Sequence, residues 1–179
     1  MRPLCRCCQQ HGAGSGVSET ASASFRKAGA AVAASALVLD QASKTWILES
    51  VMNPPSVIEV TPFFNIVLAW NRGVSFGMFN QQSDYGPYLL TGLALVIVIA
   101  LSIWLWRASS RWAALALGLI IGGAIGNVID RIRFGAVVDF LDFHAFGYHW
   151  PAFNVADSAI CVGAVILILE SLFSRDETS

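Results

Sequence analysis

The chain predicts an all-α membrane protein of four transmembrane helices, with a small extracytoplasmic β-sheet and a short interfacial loop or helix. Three observations carry this expectation. The 179 residues are 55% hydrophobic and 13% charged, with a mean hydropathy of +0.60, a balance far from that of a soluble domain. Four apolar stretches, about 28–48, 87–106, 112–129 and 152–173, each approach the roughly 20 residues that cross a hydrocarbon core. Their basic flanks alternate: Arg26, Lys27, Arg107, Arg111 and Arg175 fall at the ends that four spans place on one side, which the positive-inside rule makes cytoplasmic. Both termini are then cytoplasmic.

Residues 1–25 are rich in Ser, Ala, Gly and Gln without apolar periodicity and read as a disordered leader. Cys5, Cys7 and Cys8 crowd that leader and Cys161 stands alone, so no disulfide framework is expected and all four read as free thiols. The spacing of Cys5, Cys7, Cys8 and His11 fits no common zinc pattern. Residues 26–175 form a single membrane domain, and 176–179 a cytoplasmic tail. The first apolar stretch is retained as a span, because it leads into Asp40, Lys44 and Trp46 rather than into an export cleavage site.

Between the first two spans, about 51–85, Val57-Ile58-Glu59-Val60 and Phe63-Phe64-Asn65-Ile66-Val67-Leu68 are β-branched and aromatic, bounded by Pro54, Pro55 and Pro62, and too short to span as helix. They predict a small sheet on the outer face. The third span carries Gly118, Gly122 and Gly126 at four-residue intervals, which lets a neighbouring helix approach closely. The connection after it, with Phe134, Phe140, Phe143, Phe146, Tyr148 and Trp150, suits the headgroup zone as an interfacial loop or short helix.

Ionisable groups inside spans are costly, so their placement informs. Asp40 and Lys44 lie in the outer half of span one, Asn127, Asp130 and Arg131 end span three, and Asn154 and Asp157 begin span four, with Asp139 just before it. The topology gathers all of them at one depth. Within each group the spacing is i,i+3 or i,i+4, so each set shares a helix face. Asp40 with Lys44, and Asp130 beside Arg131, are read first as mutual neutralisation. Asp139 and Asp157 have no cation at helical spacing. Two such carboxyls sharing one proton supply the acid and base that amide hydrolysis requires, and they titrate as a unit.

Other chemistries fit less well. Ser43, Ser75 and Ser158 have no supporting His. Asp139, Asp142, His144 and His149 are metal-ligand types, but no HExxH pattern is present, and no phosphate-binding glycine loop either. A net charge of -1 and a pI near 6.3 offer no basic field for nucleic acid. A proton-coupled transporter would use the same polar groups, although it predicts acidic residues spread through the membrane depth; a non-catalytic assembly module would use the glycine face.

Five segments, Asp40-Gln41-Ala42-Ser43-Lys44, Asn71-Arg72-Gly73-Val74-Ser75-Phe76-Gly77, Gly126-Asn127-Val128-Ile129-Asp130-Arg131, Val137-Val138-Asp139-Phe140 and Phe153-Asn154-Val155-Ala156-Asp157, resemble in content and order the lipoprotein signal peptidases, also called signal peptidase II. The resemblance covers roughly residues 30–173. It implies a catalytic dyad of Asp139 and Asp157 with Asn154 orienting it. It further implies that Asp40, Lys44, Asn71, Arg72, Gly73, Asn127, Asp130, Arg131 and Ala156 shape the site or hold substrate. The implied substrate is a prolipoprotein whose cysteine carries diacylglycerol, cut just before that cysteine in the bacterial inner membrane, near the extracytoplasmic leaflet. No metal or organic cofactor is implied, no nucleic acid, and a monomer among membrane lipid. Asn71 and Arg72, on the outer sheet, are expected to close over the bound peptide. The longer, Cys-containing leader departs from the family pattern and bears on the true start.

Overall fold

The computed structural model describes residues 15–73 and 86–176. Helix α1 runs Ser15–Trp46 and passes into a π-helical turn, Ile47–Val51. Strands β1 (Ile58–Thr61) and β2 (Phe64–Asn71) follow, then α2 (Gly86–Trp106), α3 (Arg111–Phe134), β3 (Val137–Ala145), β4 (Tyr148–His149) and α4 (Val155–Asp176). By length and composition α2, α3 and Val155–Phe173 of α4 can each cross a membrane. Helix α1, lowered in hydropathy by Asp40, Gln41 and Lys44, is not among them.

Helix α3 is the centre of the bundle: 61% of its most apolar stretch is buried, against 6% in α2 and 11% in α4. Small residues allow this. A side-chain carbon added at Gly118 or Gly122 would collide with the Gly29 or Ala33 carbonyl of α1, and one at Gly123 with the Ala156 carbonyl of α4. Close backbone approach of this kind yields dense van der Waals contact where no water drives association. The helix starts at an Ser110 cap, whose hydroxyl accepts from the Trp112 and Ala113 N–H groups at 3.2 and 3.4 Å. It stops at Gly135, φ 70°, whose N–H donates to the Arg131 carbonyl.

The strands form one four-stranded array in the order β1-β2-β3-β4, antiparallel at each step. It sits where α1 and α3 end and α4 begins, on a seat of Ile47, Met52 and Phe140 with Ile58, Ile66, Leu68, Leu141 and Val155. The register sets Ala69 opposite Asp139 and Asn65 opposite Asp142. The β3–β4 turn is Phe146-Gly147, both at positive φ, as a two-residue hairpin turn requires.

Four expectations are corrected. The connection after α3 is neither an interfacial loop nor a short helix: its β-branched and aromatic run, Val137 to Phe143, pairs with β2, so the fold is helical with a sheet rather than all-α. Helix α1 begins at Ser15, within the stretch expected as leader, because Val17 to Lys27 contains neither Gly nor Pro and a formed helix propagates into it at little cost. Helix α3 continues past Ile129 to Phe134, where Gly135 ends it. Helix α4 begins at Val155 rather than 152, because Pro151 and the Asn154 cap precede it. Residues 1–14, 74–85 and 177–179, and with them Cys5, Cys7, Cys8, His11, Ser75, Phe76 and Gly77, lie outside the described residues.

Candidate active site

Helix α4 opens with a reciprocal cap. The Asn154 Oδ1 accepts from the Asp157 N–H at 2.9 Å, and the Asp157 Oδ2 accepts from the Asn154 N–H at 3.2 Å. This fixes the Asp157 carboxylate on the first turn. The Asn154 Nδ2 is left free to reach outward, and it donates to Asp139 Oδ1 at 2.7 Å and to the Val138 carbonyl at 3.3 Å. One buried asparagine thereby joins the strand that carries Asp139 to the helix that carries Asp157.

A second layer supports the first. Asn127 of α3 donates through Nδ2 to Asp157 Oδ1 at 2.8 Å, while its Oδ1 accepts from Lys44 Nζ at 3.0 Å and from Asn154 Nδ2 at 3.3 Å. The Lys44 ammonium also meets Asp40 at 3.0 Å and Asp130 at 2.7 Å, and all three groups are buried. Asp40 Oδ1 accepts from the Ala156 N–H at 2.9 Å, pinning the start of α4 to α1. Asp130 Oδ2 accepts from the Val138 N–H at 3.2 Å, pinning β3 to α3. Both carboxyl-bearing elements are thus anchored to one cation. Gly126 makes this possible, since a side chain there would enter the space of the Asp40 carboxylate.

Asp139 is 2% exposed. Its burial lifts the carboxyl from 3.8 to about 6; hydrogen bonding from Asn71 opposes the rise, the nearby Asp157 charge adds to it, and the Asn154 amide lowers it again. A carboxyl so placed keeps its proton to a higher pH than an ordinary aspartate does.

Of the residues singled out by sequence, Asp40, Lys44, Asn127, Asp130, Asn154, Ala156, Asp139 and Asp157 meet in one continuous network. Asp130 does not pair with its neighbour Arg131, since consecutive helical residues point about 100° apart; it takes Lys44 instead. Arg131 donates weakly to the Asn127 carbonyl at 3.4 Å, and its buried Nε has no hydrogen-bond partner among the described residues. Asn71 uses its Oδ1 to accept from the Gly73 N–H at 2.8 Å, and Gly73 has φ 84° with its α-carbon against Leu90 of α2, a position closed to a side chain. Arg72 is exposed.

Two contributors were not anticipated. Gln41 Nε2 lies within hydrogen-bonding distance of Asp40, the Gly126 carbonyl and Asp130; its place beside Asp40 inside a span was the available signal. The Val138 peptide bonds both Asp130 and Asn154, and no side-chain pattern marks it. The metal reading of Asp139, Asp142, His144 and His149 separates into unlike parts. Asp142 accepts from His149 Nδ1 at 2.9 Å and from Asn65 at 3.1 Å, His144 stacks on His149, and Asp139 belongs to the other cluster. Among the described residues no group of three or more His, Cys, Asp or Glu can hold a metal ion.

The profile of the family described as signal peptidase (SPase) II matches residues 32–173. Relatives named lipoprotein signal peptidase include one from Methylorubrum extorquens (strain PA1), 52% identical over 139 residues, covering 76% of this chain and 80% of the relative. Another, from Rhodopseudomonas palustris (strain ATCC BAA-98 / CGA009), is 49% identical over 142 residues, covering 76% and 87%. A solved structure described as a bacterial membrane enzyme superposes with a TM-score of 0.71 at 30% identity, covering 84% of this chain and 91% of that one. With the profile spanning most of the chain and the paired aspartates held in one network, the chain belongs to the signal peptidase II family.

Proposed function

We propose that this chain cleaves diacylglyceryl-modified prolipoproteins just before the lipidated cysteine, with Asp139 and Asp157 activating the attacking water. The observation that carries the reading is Asn154, which binds Asp139 through its side chain and Asp157 through its peptide N–H. Asp157, on the first turn of α4 and hydrogen-bonded to Asn127, is assigned as the base. Asp139, buried in β3, is the partner that keeps the proton.

In the first step Asp157 takes a proton from water as the oxygen attacks the scissile carbonyl carbon, and Asp139 gives its proton to the carbonyl oxygen. In the second, the tetrahedral diol collapses, the C–N bond breaks, Asp157 passes its proton to the departing cysteine nitrogen, and Asp139 recovers one from the hydroxyl. Proton count and charge are restored. We assign Arg131, whose buried Nε has no hydrogen-bond partner among the described residues, to a substrate peptide carbonyl, while Asn127, Asp130, Lys44, Asp40 and Ala156 hold the two acidic side chains in position. Asn71, which hydrogen-bonds Asp139, and Arg72 and Gly73 after it at the end of β2 close over the peptide; cross-linking β2 to the β3–β4 hairpin without loss of cleavage would count against that closure.

Four spans, α1 included, place both termini in the cytoplasm of a bacterial inner membrane and the site near the extracytoplasmic leaflet. Arg26 of α1 supports the pairing of ends: its guanidinium lies 5.1 Å over the Trp106 ring and 3.5 Å from the Trp106 carbonyl at the close of α2. A lipidated peptide enters from the side with its acyl chains still among lipid. The test is incubation of the purified protein in detergent with lipidated and unlipidated copies of one precursor, alongside Asp139→Asn and Asp157→Asn. Cleavage of the lipidated copy alone, lost in both variants, is expected; full cleavage by either folded variant sinks the assignment.

A further inference from the structure

We propose that a pocket at the sheet end of α1 and α3 binds a zwitterionic phospholipid headgroup, one that joins a phosphate to a primary ammonium. The pocket measures about 160 Å³. Its floor is the buried Lys44–Asp130 pair, 2.7 Å apart. That floor offers a ligand little charge: the Lys44 ammonium already bonds Asp40, Asp130 and Asn127, one partner for each of its three protons.

The groups left to meet a ligand are Glu49, from the turn that ends α1, and Arg133, from the last turn of α3. Both line the pocket, both are exposed, and neither makes an ion pair among the described residues. Arg133 lies 4.8 Å over the Phe134 ring, which holds the guanidinium at the rim. Opposite charges that face one space without touching suit a molecule with opposite charges of its own. Arg133 takes the phosphate by a forked pair of N–H donors, and Glu49 takes the ammonium. Leu48 and Phe134 give the glycerol and first acyl carbons an apolar wall.

The level is right for a headgroup, because the apolar part of α3 ends just before Asp130 and Arg133. The lipid carried by a diacylglyceryl cysteine has no charge and would leave both residues unanswered. An anionic lipid without an amine would set a phosphate near Glu49 with nothing to neutralise it. A zwitterion is the class that satisfies both walls.

The test uses the full chain, purified and stripped of lipid in detergent, then mixed with equal amounts of phosphatidylethanolamine and phosphatidylglycerol of matched acyl chains. Retained lipid is read by native mass spectrometry, with glycerophosphoethanolamine as a separate arm. Retention of the ethanolamine lipid about fivefold or more over the glycerol lipid is expected, equivalent to about 1 kcal/mol for one charge pair. Glu49→Gln should equalise the two lipids and Arg133→Gln should lower retention of both, while each variant still cleaves precursor in detergent and so is folded. Equal retention by the unmodified chain, a preference that survives in the double variant, or equally tight binding of the deacylated headgroup would each overturn the proposal.

Discussion

Replacing Asp139 by Asn should abolish cleavage and at the same time stabilise the protein, but only where the native carboxyl would be charged. Burial raises Asp139 from 3.8 to about 6, so its charged form is disfavoured in the folded state by about 2 pH units, or about 3 kcal/mol at about 1.4 kcal/mol per unit. The sign follows from proton binding. Between those two values the folded protein holds a proton that the unfolded chain has released, so stability falls as pH rises and levels off above about 6. An amide keeps the oxygen that accepts from Asn154 at 2.7 Å but carries no charge at any pH. The Asn variant should therefore exceed the native protein by up to about 3 kcal/mol at pH 8, or about 6–12 °C in Tm for a chain of this size. At pH 4 most of that gain should vanish. Tryptophan fluorescence during heating in detergent at the two pH values, beside cleavage of a lipidated precursor, measures both effects. A stability difference that does not change between pH 4 and pH 8 would refute the claim that the fold disfavours the Asp139 charge.

Other consequences are as direct. For the native enzyme kcat/KM should decline above a pH near 6, about tenfold per unit, as Asp139 of the free enzyme loses its proton; a flat profile from pH 6 to 8 would remove Asp139 as the acid. Lys44→Met leaves Asp40 and Asp130 buried without their cation and should cost about 3–5 kcal/mol, with part recovered in Lys44→Met/Asp130→Asn; equal stability of the single and double variants would mean the shared cation does not hold the cluster. Gly126→Ala should destabilise by about 1–3 kcal/mol and lower kcat, because the added methyl pushes the Asp40 carboxylate off the Ala156 N–H; circular-dichroism melts and cleavage rates read both. Burial alone would raise the Asp142 carboxyl, but hydrogen bonds from His149 and Asn65 outweigh it and hold the group below its ordinary range. The stability this brings is present above pH 3.8 and is lost as pH falls, so Asp142→Asn should lower Tm at pH 7 and differ little from the native protein near pH 3.

The polar groups on helices were legible because a charge in an apolar span is conspicuous and the helical period fixes which of its neighbours share its face. Asp40 with Lys44 and Asn154 with Asp157 follow from spacing alone. What spacing does not give is the partner across elements. Asp130 beside Arg131 reads as a pair, yet the helix turns them apart and α1 supplies the cation, Lys44. Strand β3 was obscured for another reason: a run dense in aromatics serves a membrane interface and a sheet equally well, and the decision rests with Asn65 and Ala69 of β2, more than sixty residues earlier, which no local pattern links to Asp142 and Asp139. Val138 escaped because its contribution is a peptide group, the same at every position.

The strand matters to the chemistry as well as to the fold. If Asp139 stood on a flexible interfacial loop, water would reach it and the burial that lifts its carboxyl would be lost, leaving the site without its acid. Pairing with β2 buries the residue and sets its neighbour Val138 between Asp130 and Asn154. Helix α4 presents Asp157 to N–H donors at a helix start. Two identical side chains are thereby given unlike surroundings by the elements that carry them, a buried sheet on one side and a helix terminus on the other, and Asn154 holds the two together.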